Sequence, residues 1–171
     1  MSQHLTTAIV AEEMARRGYR VLSGPAVEVT GGAADSRLVH PGELFCAFPG
    51  EETDGNLYVA AAFRAGAVAA ICSRPPEGEW PGKTIVVAPD TTRAVGDLAR
   101  AWRTACDPQV VGITGTVGKT TAKEMTAATL ADRFRTHRSA GNLNSREGLP
   151  LALLSLRRDH EVSVLEMAMD S

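Results

Sequence analysis

The 171-residue chain has only three cysteines, Cys46, Cys72 and Cys106, widely spaced and odd in number. That excludes a disulfide framework, and because two of them sit in apolar runs they read as reduced core thiols. A basic stripe is also missing. Eighteen Lys and Arg face twenty Asp and Glu, the formal net charge is −2, and no cationic cluster is long enough to follow a nucleic-acid backbone. No nucleic-acid partner is expected. No apolar run approaches the roughly 20 residues that a bilayer-crossing helix needs, and residues 1–7 show no basic segment leading into an apolar one. The expectation is a cytoplasmic protein with no membrane insertion. Internal repeats and low-complexity tracts are absent as well.

What remains is a composition of 44% hydrophobic and 22% charged residues, the balance of a globular protein with a true core. The length allows one ordinary domain, or a small domain plus part of another. Residues 5–17 have the pattern of a short amphipathic helix, with Thr6 or Thr7 as cap and Gly18 as stop. Short strands are expected at 19–22 and 27–30, and buried strands at 44–48, 67–72 and 85–88. A helix at 57–65, closed by Gly66, lies between the first two buried strands. Asp90 caps a further helix, whose apolar positions Val95, Leu98, Trp102 and Ala105 recur at helical spacing. Strands alternating with helices on short connectors predict an α/β fold.

Asp107 and Pro108 end that helix, and a new strand–loop–helix unit starts at once. We therefore expect two domains, residues 1–107 and 108–171. In the second, a strand at 109–114, a helix to about residue 130, a strand at 134–137, a helix at 146–156 and a buried strand at 162–167 predict a parallel sheet. A parallel nucleotide-binding sheet needs more strands than these to cover its helices, so this unit is expected to be incomplete. His137 and His160 read as ordinary surface or strand-end residues.

The stretch Gly115, Thr116, Val117, Gly118, Lys119, Thr120, Thr121 joins the apolar strand to the next helix. A glycine turn in that position points several backbone N–H groups into one concavity, and the helix dipole adds partial positive charge, so phosphate is favoured. Lys119 can reach the β- and γ-phosphates of ATP, and Thr120 can place its hydroxyl on Mg²⁺. The spacing is a shortened variant of the usual phosphate loop: Ile113 stands where the longer pattern has glycine, and Gly112 lies one place too early. The metal needs a further acidic group. Glu166, at the end of the apolar strand, is the candidate, because strand carboxyl ends share one edge of a parallel sheet with the loop. Asp170 is the weaker rival.

Residues 111–125, 141–150 and 160–167 resemble the ATP loop and following segments of the Mur ligases. The N-terminal half agrees, since Asp35, Ser36, Arg37, the run 41–45, and Asp54 with Gly55 are similar to that family's uridine-nucleotide domain. Within the family, the motifs look most like the branch that adds D-alanyl-D-alanine. The branch that adds the third amino acid ranks second, and a non-catalytic nucleotide- or UDP-sugar-binding module is the alternative of a different class. The resemblance implies a small N-terminal α/β uridine-nucleotide domain followed by the start of a P-loop ATPase domain. It also implies ATP and Mg²⁺ as cofactors, UDP-MurNAc-peptide and D-Ala-D-Ala as substrates, and a monomer. By the same resemblance, Lys119 would be catalytic. Residues Gly115 to Thr121 and Asn142 would hold the nucleotide, Thr120 and Glu166 the metal, and Ser36 and Arg37 the UDP-sugar end, with His40 a looser candidate. Val117 departs from the polar residue usual in the family, a mild loss where backbone N–H groups bind the phosphate. The family's later regions are absent from the 171 residues, which alone are expected not to turn over.

Overall fold

The computed structural model describes residues 3–50, 53–141 and 143–168. Helix α1 (Thr7–Arg16) begins where the Thr6 hydroxyl accepts a hydrogen bond from the Ile9 N–H, and the chain leaves it through Gly18 at φ +85°. Strand β1 (Arg20–Leu22) follows. The strand expected at 27–30 does not form in a sheet. Val29 N–H bonds to Leu5 O, and Val27 exchanges bonds with Thr7, so the segment is tied to the start of α1 by one isolated bridge between Thr6 and Glu28. The sheet edge is instead β2 (Gly32–Ala33), next to β3 (Leu44–Cys46).

Asp54 then caps a 3-10 turn (Gly55–Tyr58) that runs into α2 (Val59–Ala65), which Gly66 ends at φ +115°. Strands β4 (Ala69–Cys72) and β5 (Thr84–Val87) complete a five-stranded sheet of order β1-β5-β4-β3-β2. Only β1 runs antiparallel to its neighbour. The pleat sorts its side chains between two cores. Leu44, Cys46, Ala69, Ile71 and Val86 face α1 and α3 (Thr91–Cys106), whereas Phe45, Ala70, Cys72 and Ile85 face α2. Burial on both faces explains why these strands read as continuous apolar runs. Burial also pushes the Cys72 and Cys106 thiols up to about 11 and Cys46 higher still, so all three are inert core groups.

Asp90 accepts the Arg93 N–H and starts α3, which Asp107 closes at φ +49°; among the described residues it is the only non-glycine with positive φ. The chain then enters a second sheet of three parallel strands, β6 (Gln109–Ile113), β8 (Val162–Glu166) and β7 (Thr136–Arg138), in that spatial order. Helix α4 (Lys119–Ala131) packs Ala127 and Leu130 against Val162, Val164, Val111 and Ile113.

The helix expected at 146–156 is shorter, α5 (Gly148–Leu153). Its continuation tightens into i→i+3 bonds, from Leu154, Ser155 and Leu156 back to Leu151, Ala152 and Leu153. Pro150 fits the first turn, where no intrahelical N–H is required. Leu151, Leu154 and Leu156 turn away from the second sheet and enter the core of the first. A β-carbon at Gly32 would lie 2.7 Å from Leu154 Cδ1 and 3.0 Å from Leu151 Cδ2. Gly32→Val is therefore expected to lower stability by about 1–3 kcal/mol through overpacking, read as a lower urea midpoint at unchanged slope.

Candidate nucleotide and metal site

Strand β6 stops at Ile113, and the chain turns through Gly115 at φ +148° and Gly118 at φ +81° before α4 begins at Lys119. Gly118 occupies the N-cap, and no side chain caps the first turn. Its leading N–H groups are thus left for an external acceptor at the positive end of the helix dipole. Thr116 and Val117 are exposed at the crest of the turn, with Val117 at 91%. Lys119 Nζ lies across the loop and donates to Gly115 O at 2.8 Å. Thr121, two places beyond Lys119 in the helix, is exposed.

The parallel pairing of β6 with β8 brings Ile113 opposite Glu166, so the carboxylate reaches the same sheet edge as the loop. Thr120 Oγ1 donates to Glu166 Oε2 at 2.9 Å, and Asn144 Nδ2 donates to Glu166 Oε1 at 2.7 Å. Glu166 is only 2% exposed. Burial alone would raise its pKa, but the bonds from Asn144 and Thr120, together with the charges of Lys123 and Lys119, outweigh it and hold the carboxyl below the ordinary glutamate value. The group is ionised at neutral pH.

Its stabilising contribution is present above the ordinary glutamate pKa and is lost as pH falls through the lower folded value. Among the described residues no three His, Cys, Asp or Glu side chains converge into a metal cluster. Magnesium does not need one, since it is bound through one or two carboxylates with phosphate oxygens and water. A hydroxyl and an ionised carboxylate beside an uncapped helix start are the hard oxygen donors that suit it.

Two residues that the sequence did not single out stand behind these groups. Asn144 is one, and it stands two places after Asn142, which lies outside the described residues, as does Asp170. Lys123 is the other, fully buried one helical turn after Lys119. His137 corrects an expectation: it is 5% exposed, with Nδ1 2.9 Å from Ser163 Oγ and Nε2 3.0 Å from Ser155 Oγ. The expectation failed because the residue's burial comes from 163 and 155, which lie 26 and 18 positions away. His160 is partly exposed, as its strand-end position suggested.

Ser36 and Arg37 lie elsewhere, on the rim of a groove of about 580 Å³ that Pro49, Tyr58 and Glu147 also line. Arg37 donates from its main chain and its guanidinium to Asp35, which folds residues 35–37 into a turn. Those bonds hold the Asp35 carboxyl at about 2. The Arg37 side chain nonetheless remains 86% exposed. Glu147 enters the groove from the segment just before α5, so both halves of the chain contribute to it. His40 is exposed, its N–H bonded to Glu43 Oε2.

Two family models match the chain: one described as Mur ligase family, catalytic domain, over residues 28–103, and one described as Mur ligase middle domain, over residues 113–171. The UDP-N-acetylmuramoyl-tripeptide–D-alanyl-D-alanine ligase of Bacillus subtilis (strain 168) is 37% identical over 157 residues, covering 88% of this chain and 34% of the relative. Among solved structures, a UDP-N-acetylmuramoylalanyl-D-glutamyl-2,6-diaminopimelate–D-alanyl-D-alanyl ligase from Acinetobacter baumannii superposes with a TM-score of 0.77. It is 30% identical and covers 98% of this chain and 37% of that one. The MurF ligase of Thermotoga maritima in complex with ADP gives a TM-score of 0.65 at 31% identity, covering 84% and 33%. The chain spans about a third of the length of the curated relatives it matches. Among the described residues, no helix is long and apolar enough to cross a membrane.

Proposed function

The chain belongs to the Mur ligase family, and on that premise we propose that it supplies the uridine-nucleotide and phosphate-loop portions of an ATP-dependent ligase. That ligase joins D-alanyl-D-alanine to UDP-MurNAc-tripeptide in cytoplasmic peptidoglycan synthesis, as a monomer. Residues 1–107 would bind the UDP-MurNAc-peptide, with Ser36 and Arg37 at the UDP-sugar end of the groove. Residues 108–171 would bind ATP.

In the proposed reaction the substrate carboxylate attacks the γ-phosphorus of ATP and ADP departs. The amine of D-Ala-D-Ala then displaces phosphate from the acyl phosphate. The observation that carries this reading is the Thr120–Glu166–Asn144 arrangement, bonded at 2.9 and 2.7 Å beside the uncapped start of α4. Phosphoryl transfer asks a protein mainly for positioning and charge neutralisation. The backbone N–H groups of residues 115–121 would cradle the phosphates, and Lys119 would exchange Gly115 O for a phosphate oxygen. Mg²⁺, held by Thr120 and Glu166, would supply charge neutralisation on the β- and γ-phosphates. Asn142 would border the same nucleotide.

Titration calorimetry with ADP and Mg²⁺ tests the reading. Lys119→Ala removes a charge-assisted bond to phosphate and is expected to weaken ADP binding ~10–100-fold. Binding of UDP-MurNAc-tripeptide should persist in Lys119→Ala and weaken in Arg37→Ala. Unchanged ADP affinity on loss of Lys119 would remove the basis for a working phosphate loop.

A further inference from the structure

Lys123 is the one lysine among the largest fully buried side chains of the described residues. It lies on α4, one turn beyond the phosphate loop, and its Nζ donates to two main-chain carbonyls, Ser139 O at 2.9 Å and Gly141 O at 2.7 Å. Burying an amino group is costly unless such partners are supplied. Here both come from the segment that links β7 to α5, which also carries Asn144. The Glu124 carboxylate stands 3.3 Å from the same nitrogen, and Glu166 Oε2 stands 4.0 Å away.

Ser139 and Asn144 are joined to β8 from its other side. Ser139 N–H donates to Val164 O, Ser139 Oγ accepts from Glu166 N–H at 3.3 Å, and Ala168 N–H donates to Asn144 O. Three elements therefore meet at one nitrogen: the helix of the phosphate loop, the Asn144 segment and the end of β8. Asn144 is free to aim its amide at Glu166 Oε1 only if the main chain before it is held in place.

We propose that Lys123 is a positioning residue for the metal site: it fixes residues 139–141, and through Asn144 it sets the orientation in which Glu166 faces Thr120. The inference rests on the nucleotide reading above. It concerns a residue that touches neither nucleotide nor metal and acts through its neighbours.

Charge and positioning predict opposite signs, which makes the test sharp. Removing a positive charge near a cation site should tighten metal binding, whereas releasing a ligand's outer-shell support should weaken it. Mn²⁺ binding to the ADP complex, followed by electron paramagnetic resonance, is compared in the protein, in Lys123→Met and in Asn144→Ala. ADP affinity is measured alongside in EDTA.

The expected result is a ~10–100-fold loss of Mn²⁺ affinity in both variants, with metal-free ADP affinity essentially unchanged. If Lys123→Met does not fold, Lys123→Gln takes its place, because its shorter neutral side chain removes the charge and cannot hold both carbonyls at the same reach. Mn²⁺ affinity that stays equal or rises in either folded variant overturns the proposal. So does a parallel loss of metal-free ADP binding, which would mark Lys123 as holding the fold and nothing more. An unsubstituted protein that binds no Mn²⁺·ADP instead removes the nucleotide reading itself, so the two failures are distinguishable.

Discussion

Trp102→Ala is expected to destabilise the protein by about 3–5 kcal/mol, the largest loss of any single truncation considered. Trp102 heads the fully buried side chains by volume and is 1% exposed. It stands on α3 in the core beneath the five-stranded sheet, yet its Nε1–H donates to Leu156 O at 2.9 Å, in the segment that follows α5. The Arg158 guanidinium covers its ring at 5.3 Å. Truncation would open a cavity and also remove the donor of a buried carbonyl, and the two losses add.

Trp102→Phe separates them. It keeps most of the ring and loses the bond, so about 1–3 kcal/mol is expected from the unpaired carbonyl. Whole domains are stable by only ~5–15 kcal/mol, so the alanine variant should be visibly marginal. For a chain of this size the loss corresponds to a melting temperature lower by ~6–20 °C. Because the indole ties the first core to the Leu156 segment, both sheets should be affected. Unfolding followed by near-ultraviolet dichroism and by amide exchange on β8 should report the change together. A fall below about 1 kcal/mol for Trp102→Ala would contradict the packing described.

Acidification is expected to remove up to ~3 kcal/mol through His137. Burial first, and then the neighbouring His160, whose ring lies 5.4 Å away, bring its pKa down from 6.5 to about 4. A bond involving Ala152 opposes these only in part. The neutral ring is well matched to its surroundings. Ser155 Oγ donates to Ala152 O, so it accepts the Nε2–H of His137, and Nδ1 accepts from Ser163. This assigns the tautomer from the bonding pattern.

The sign follows from proton counting. Between pH 6.5 and 4 the unfolded chain binds a proton at His137 that the folded chain refuses, so stability is complete above 6.5 and is lost as pH falls through that window. Urea denaturation from pH 7 to 4 should show this slope, and His137→Gln should flatten it. Asp35 titrates about two pH units lower still, so its contribution falls outside the window. A slope unchanged in His137→Gln would show that another group is responsible.

Much of the fold was legible because the signals that specify it are local. Thr6 and Asp90 cap their helices through bonds spanning three residues, and Gly18 and Gly66 end helices by backbone conformations that disfavour other residues. The glycine turn between β6 and α4 and the apolar strand ending in Glu166 were likewise visible, since strand direction and helix start are written in consecutive residues. The uncertain elements were those whose partners are remote. Segment 27–30 has strand composition but spends its backbone bonds on residues 5, 7 and 42. The helix expected to reach 156 stops at Leu153, because the residues after it tighten toward the core under α3.

Within the site the same division holds. The sequence by itself determined that a glycine turn joins an apolar strand to a helix, that Lys119 and Thr120 stand in the first turn of that helix and that Glu166 ends a further apolar strand. The tertiary structure alone decided that Asn144 holds the free oxygen of Glu166, that Lys123 lies buried behind them, and that His137 is sealed between two serines. Each depends on hydrogen bonds across 16 to 26 positions of chain, and lysine, asparagine and histidine carry no local signal that distinguishes a buried, fully bonded side chain from a solvated one. Only the pairing of β6 and β7 with β8 brings those partners within bonding distance.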